Sequence, residues 1–210
     1  MRWRLLRVVL VTALLAPAWV RAESQNRDAP KWTFSATSMA YAPPDADNFL
    51  LVIATADRGA LHLEARYNYE ARDTGSLFAG WTFAGGESLT YSLTPMLGVA
   101  AGDTRGIAPG LKASLAYGMV DFYTEAEYLY NTETHDDSYT YAWSELGISP
   151  FKWIRFGLVG QRTRLYQSDR DIQRGGFAQI KLGKANVGVY VFNPDDSASR
   201  LAIVSLAAEF

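Results

Sequence analysis

Residues 61–70 read LHLEARYNYE. Leu61, Leu63, Ala65, Tyr67 and Tyr69 alternate with His62, Glu64, Arg66, Asn68 and Glu70. A period of two is the mark of a strand whose side chains point alternately to opposite faces. One face here is apolar and the other carries ionisable groups. In a soluble sandwich the apolar face would meet a core and the charged face bulk water. In a membrane barrel the apolar face would meet lipid and the charged face would line a lumen. The rest of the chain decides between the two.

The N-terminus, MRWRLLRVVLVTALLAPAWVRA, has a basic start (Arg2, Arg4, Arg7) and a short apolar run over residues 8–16. Val20 and Ala22 stand where small residues precede a cleavage site. Residues 1–22 are therefore expected to be a secretory signal peptide, too short in its apolar run to serve as a bilayer-spanning anchor. Residues 23–30 would follow as a short periplasmic segment, with the barrel over 31–210. Removing the signal takes away Arg2, Arg4, Arg7 and Arg21 and no acid, leaving 16 basic against 22 acidic residues. That balance argues against nucleic acid as a partner. Cysteine is absent, which excludes disulfides, thiolate metal sites and a Cys nucleophile.

Between the ends, period-two segments are expected near 31–41, 48–57, 60–70, 76–84, 87–100, 107–118, 121–131, 138–148, 152–165, 175–184, 185–193 and 199–210. Each is about the ten residues that a tilted strand needs to cross a bilayer. The connections alternate. Tight ones fall at 57–59, 84–86, 118–121, 149–152 and 183–185. Longer, more acidic ones fall at 42–48, 71–75, 101–106, 132–138, 166–174 and 194–199. An even strand number with short turns at one end and longer loops at the other is the pattern of bacterial outer-membrane barrels. The expectation is an all-β fold: one closed antiparallel transmembrane barrel of about twelve strands, with both termini periplasmic.

The faces agree with this. Leu89, Tyr91, Leu93, Leu97 and Val99 oppose Thr90, Ser92, Thr94 and Gly98, and Val187, Val189 and Val191 oppose Asn186 and Gly188. Trp32, Phe34, Trp81, Phe83, Phe122, Trp153 and Phe210 are expected at the periplasmic rim. Tyr67, Tyr69, Tyr128, Tyr130 and Tyr166 are expected at the outer rim, as interfacial girdles. Pro95 cannot donate to a ladder, so a bulge is expected there. Over 139–148, Tyr139, Tyr141, Trp143 and Glu145 share a face, and the pattern does not say which way that face points.

The last strand, LAIVSLAAEF, puts Ala202, Val204, Leu206, Ala208 and Phe210 on one face. It resembles the C-terminal assembly signal of Gram-negative outer-membrane barrels, which implies Phe210 as the residue read by the barrel assembly machinery. The whole mature chain resembles small twelve-stranded outer-membrane channels, including the nucleoside and acidic-oligosaccharide channels. PGLKASLAYGMVDFYTEAEYLYN (109–131) also resembles uncharacterised outer-membrane barrel proteins, which supplies no function. The acidic-oligosaccharide channels have strongly basic lumens and this one is mixed, so their anionic substrates do not carry over.

Assigned inward, His62, Glu64, Arg66, Glu70, Lys112, Glu125, Glu127, Arg155, Gln161 and Lys181 would line the lumen. Eight-stranded barrels are filled by their own side chains and those of sixteen or more hold an aqueous channel. Twelve lies between. The expected function is a narrow outer-membrane pore for small hydrophilic solutes or ions. The alternatives are a non-conducting structural, assembly or lipopolysaccharide-interacting barrel, or a lipid-modifying hydrolase, a class this chain resembles in size and architecture. Such hydrolases pair His with Ser or a carboxylate. His62 and Glu64 share a face that would suit a base and its orienter, but no serine stands two residues away. His135 lies in a THDD loop beside Asp136 and Asp137, more often a solvated turn than a cation site. No catalytic residue, metal or cofactor is therefore expected, and nothing in the pattern sets the oligomeric state. At the outer rim, the parity of Ile154, Phe156 and Leu158 continues to Arg162 and Arg164. Arg170, Arg174 and Arg200 are close by in the chain or on the last strand. Guanidinium groups pair bidentately with phosphate, so these five are expected to contact lipopolysaccharide.

Overall fold

The computed structural model describes residues 30–44, 46–165 and 171–210. The expected signal peptide, Tyr166 and Arg170 lie outside them, as does the side chain of Arg164. The described strands are β1 (Thr33–Ala42), β2 (Phe49–Arg58), β3 (Leu61–Tyr67), β4 (Thr74–Trp81), β5 (Phe83–Gly85), β6 (Leu89–Gly102) and β7 (Gly106–Tyr117). They continue with β8 (Val120–Asn131), β9 (Tyr139–Phe151), β10 (Ile154–Leu165), β11 (Asp171–Leu182), β12 (Ala185–Phe192) and β13 (Leu201–Glu209). Neighbours in the chain pair antiparallel, except β4 and β5, which both pair with β6. The first strand meets the last, Ser35 opposite Glu209 and Tyr41 opposite Ile203. Because β4 pairs with both β3 and β6, the sheet has no open edge.

β4 and β5 are two pieces of one barrel strand, so the closed antiparallel barrel has twelve. Both pieces pair with β6 in a single register, Gly80 with Met96 and Phe83 with Leu93. The gap falls opposite Pro95, which has no N–H to give. On its other side the strand keeps its register with β3, the amide of Thr82 donating to the carbonyl of Ala60 at 2.7 Å. Pro95 thus interrupts the ladder without the extra residue of a bulge. The register does shift elsewhere, between Ile154 and Phe156 where β9 meets β10.

Three of the tight turns share one device. Gly59, Gly118 and Gly183 are each the first residue of a two-residue hairpin loop, with φ of 61°, 61° and 64°. Glycine takes that left-handed backbone without a Cβ clash, and the turn matches the strand twist. These turns and both described ends of the chain lie at one end of the barrel, the short-turn end. The longer connections lie at the other.

The exposed surface is inverted relative to a water-soluble protein. Leu77, Leu97, Leu158 and Leu182 are 59–66% exposed on the outer wall, far beyond the scattered apolar contact area that water tolerates. Trp32, Phe34, Trp81, Phe83, Phe122, Trp153 and Phe210 are exposed near the short-turn end. Tyr67, Tyr128 and Tyr130 are exposed towards the long-loop end. Tyr69 is not with them. Asn68 has φ 59°, which ends the strand's alternation, and Tyr69 swings into the lumen beside Tyr141.

Candidate functional site

The inner face of β3 is a line of charge. His62, Glu64 and Arg66 are buried on it while Tyr67 on the other face is exposed. The ring nitrogens of His62 lie 2.7 Å from Asp57 on β2 and 3.0 Å from Glu64. Arg66 donates to Glu64, to Glu127 on β8 at 2.7 Å and to Glu70 at 3.3 Å. Lys112, on β7, closes on Glu64. The rings of Tyr69 and Phe78 lie 4.0 and 4.1 Å from the guanidinium carbon, within cation–π range. Since β4, β6 and β7 separate β3 from β8 in the sheet, the Arg66–Glu127 pair reaches across the lumen. Glu70 follows β3 in the long-loop connection. Burial raises its carboxyl above the ordinary range, against the pull of Arg66 and of Ser76, which donates to it at 2.7 Å.

A second cluster sits nearer the short-turn end. Arg155 on β10 holds Asp121 of β8 through Nε (2.9 Å) and Nη2 (2.5 Å), and through Nη1 it holds Glu145 of β9 (2.5 Å) and Gln179 of β11 (3.2 Å). Gly147 makes the room: a Cβ at that position would stand 2.6 Å from Arg155 Nε. Asp57, Asp121 and Glu145 complete these clusters although sequence reasoning did not place them inside. For Glu145 the usable signal was its shared face with Trp143.

Between the two clusters, Glu125 accepts hydrogen bonds from the phenols of Tyr69 and Tyr123, the latter at 2.6 Å. Towards the long-loop end the lumen is packed with rings and aliphatic side chains. Tyr41, Trp143, Tyr190, Phe192 and Ile203 form its buried centre. Trp143 meets Tyr190 and Phe192 edge-on at 5.4 and 5.3 Å, and Tyr41 stacks on Phe49 at 4.7 Å. Below this plug lies a cavity of about 330 Å³, walled by Tyr69, Tyr123, Tyr141, Trp143, Lys112 and Glu125 among others. Ser35, Thr37, Asn186 and Ala207 belong both to it and to a recess at the short-turn rim, where Lys181 and Lys184 stand with Glu209.

Gln161 donates to Gln173 at 2.5 Å and accepts from Tyr141 at 3.4 Å. Lys181 is exposed at the rim recess and takes no part in the buried clusters. Arg162 and Arg174 are diagonal neighbours across β10 and β11, with Arg162 opposite Ile172 and Arg174 opposite Gly160. Arg174 is 3.6 Å from Asp195, and Arg200 donates to the carbonyl of Pro194 at 3.0 Å. Phe210 gives its amide to the carbonyl of Phe34 at 2.9 Å, tying the end of the chain to β1. His62 has a carboxylate at each nitrogen and, among the described residues, no hydroxyl as a hydrogen-bond partner. His135 lies on a one-turn 3₁₀ helix with its ring 5.2 Å from Tyr130. Among the described residues no group of three or more His, Cys, Asp or Glu is placed to hold a metal ion.

No protein-family model matches the sequence, and no curated protein matches it. Solved structures do resemble the barrel. A structure titled "KdgM porin" is 12% identical, with a TM-score of 0.64, over 84% of this chain and 99% of that one. A second, "KdgM porin in complex with disordered oligogalacturonate", is 11% identical with a TM-score of 0.65 at the same coverage. At this identity the likeness is one of fold.

Proposed function

We propose that the chain is an outer-membrane barrel that gives small hydrophilic solutes or ions a narrow path, with a preference for cations. The observation that carries this reading is the inversion of the wall: large apolar side chains outside, ionisable ones inside. A belt of Leu, Val and rim aromatics suits a hydrocarbon slab, while groups such as Glu125 and Lys112 around a cavity suit water. The likeness in fold to porins supports the same reading. Acids outnumber bases on the inner face, where Asp57, Glu64, Glu70, Asp121, Glu125, Glu127 and Glu145 surround Arg66, Lys112 and Arg155. Asp136, Asp137, Asp195 and Asp196 add negative charge at the long-loop mouth.

Planar-bilayer recording of the refolded protein tests it. The expected result is a small single-channel conductance selective for cations, with selectivity falling as salt rises through screening. Glu125→Gln should reduce that selectivity while leaving the heat-modifiable gel mobility of a folded barrel unchanged. Anion selectivity would overturn the reading. So would silence, which the aromatic plug makes the specific alternative: a non-conducting structural barrel.

The outer arginines support a second, independent contact. Arg162 continues the outer-wall parity of Phe156 and Leu158, and Arg174 stands diagonally beside it. Near the membrane interface the cost of a lipid-facing Arg is small, and a lipopolysaccharide phosphate there would meet a guanidinium pair. The same reading takes in Arg200, and Arg164 and Arg170 by sequence position. Replacing Arg162 and Arg174 with Gln should lower lipopolysaccharide affinity several-fold with folding in neutral detergent preserved. Equal binding by variant and parent removes this contact from the proposal.

A further inference from the structure

We infer that the cavity beneath the aromatic plug is a binding site for a small organic cation of the substituted-ammonium class. The inference rests on the lumen being reachable by solutes, as proposed above, but not on conduction.

Charge pairing singles out one carboxylate. Glu64 has Arg66 and Lys112, Glu70 and Glu127 share Arg66, Asp121 and Glu145 share Arg155, and Asp57 has His62. Among the described residues, Glu125 has no cationic group within ion-pairing distance. Its oxygens are held instead by two phenols, Tyr69 and Tyr123. These bonds fix the carboxylate on the cavity wall without an ion pair of its own, since its cross-strand neighbour Lys112 and the guanidinium of Arg66 both bond to Glu64 instead.

The rest of the wall selects the kind of cation. Tyr69 and Tyr141 meet edge to face at 5.6 Å, and Tyr41, Trp143 and Tyr190 are also in the lining. Ring faces attract a cation most when it is weakly hydrated and can be brought into contact without its water. A phenol that donates to a carboxylate has a more electron-rich ring, which strengthens that attraction. A hard metal ion would need a shell of six or more oxygens with carboxylates among them; the oxygens of this wall are mostly hydroxyls and phenols, and of its two carboxylates Glu145 is already paired with Arg155. An ammonium carrying alkyl groups needs one counter-charge and aromatic walls, and the lining supplies Glu125 with the rings of Tyr41, Tyr69, Tyr123, Tyr141, Trp143 and Tyr190. Lys112 lines the cavity too, but its ammonium is committed to Glu64. The cavity volume of about 330 Å³ accommodates a molecule of a few heavy atoms, and the lining it shares with the short-turn recess places it next to that end of the barrel.

Isothermal titration of the full refolded barrel in neutral detergent tests this, with choline chloride as the probe and sodium chloride and glucose as controls. Saturable binding of choline is expected, with none for the two controls. Glu125→Gln should weaken it at least tenfold, and Tyr141→Leu, which removes a ring face but no charge, should weaken it as well. Heat-modifiable gel mobility verifies that each variant is folded. If Glu125→Gln does not fold, Tyr141→Leu carries the test alone. Absence of saturable choline binding overturns the inference, as does saturable glucose binding without choline, or equal affinity in the folded variants. The pore reading fails separately: a barrel that binds choline and never conducts keeps this site, and one that conducts but does not bind choline loses only this site.

Discussion

Replacing Arg66 with Met should cost the folded barrel about 3–5 kcal/mol, the range for removing one partner of a buried ion pair. The expected loss is at the upper end of what single substitutions do, because the side chain of Arg66 is 1% exposed and serves three carboxylates. Two of these, Glu70 and Glu127, each keep one buried oxygen with no hydrogen-bond partner even with Arg66 present. The cluster therefore already holds more acceptors than donors. Without the guanidinium, Glu70 and Glu127 would face one another across an enclosed space with no counter-charge, and the rings of Tyr69 and Phe78 would lose the group they pack against. The measurement is urea unfolding in detergent or lipid, read by the mobility difference between folded and boiled protein. Arg66→Met combined with Glu127→Gln should recover part of the loss, since it removes one of the stranded charges, and that recovery measures the coupling between the two sites. A single substitution that costs less than about 1 kcal/mol, in the range of an exposed pair, would show that the cluster is open to water.

The strands, their alternation and the closed sheet were legible in the sequence because each depends on local signals. Period two, turn glycines such as Gly59 and Gly183, and loop length are all read within a few residues. The outer wall was legible for the same reason: Leu93, Leu97 and Val99 declare a face by contrast with Ser92 and Thr94. What local contrast cannot show is an interior that is itself apolar. Tyr41, Trp143, Tyr190 and Phe192 point inward, and reading every apolar residue as lipid-facing misplaces them. That is why the face of Tyr139, Tyr141 and Trp143 had no clear direction. In the fold it points to the lumen, where it meets rings from strands distant in the chain. The charged groups show the same limit. Period two puts Glu64 and Arg66 on one face, but the partners Glu127 and Lys112 come from across the barrel, at sequence separations of 61 and 48 residues. Tyr69 departs from its expected place through one residue, Asn68, whose left-handed backbone no periodicity encodes.

The plug makes the second large effect. If the proposed path runs through the lumen, its narrowest part is the packed section centred on Trp143, and Trp143→Ala should raise single-channel conductance several-fold. Trp143 is 5% exposed and is the hub between Tyr190 and Phe192, so its removal opens space that the flanking rings cannot fill without leaving their own contacts. Truncating it also costs stability, about 3–5 kcal/mol for a buried Trp or Phe cut back to Ala, and refolding yield should fall accordingly. Its indole N–H donates to Glu145 at 3.0 Å, yet Glu145 keeps Arg155, so no charge is stranded. The acidic lining around Glu125 stays in place, and cation preference should persist in the widened pore, reduced only as the wider bore admits more screening salt. Leu97→Ala is the control: it truncates a residue 59% exposed on the outer wall and should leave conductance unchanged. An unchanged conductance in Trp143→Ala would mean that ions do not pass this section. Conduction by the parent would then require another route through the barrel, and a silent parent would make the plug a permanent closure.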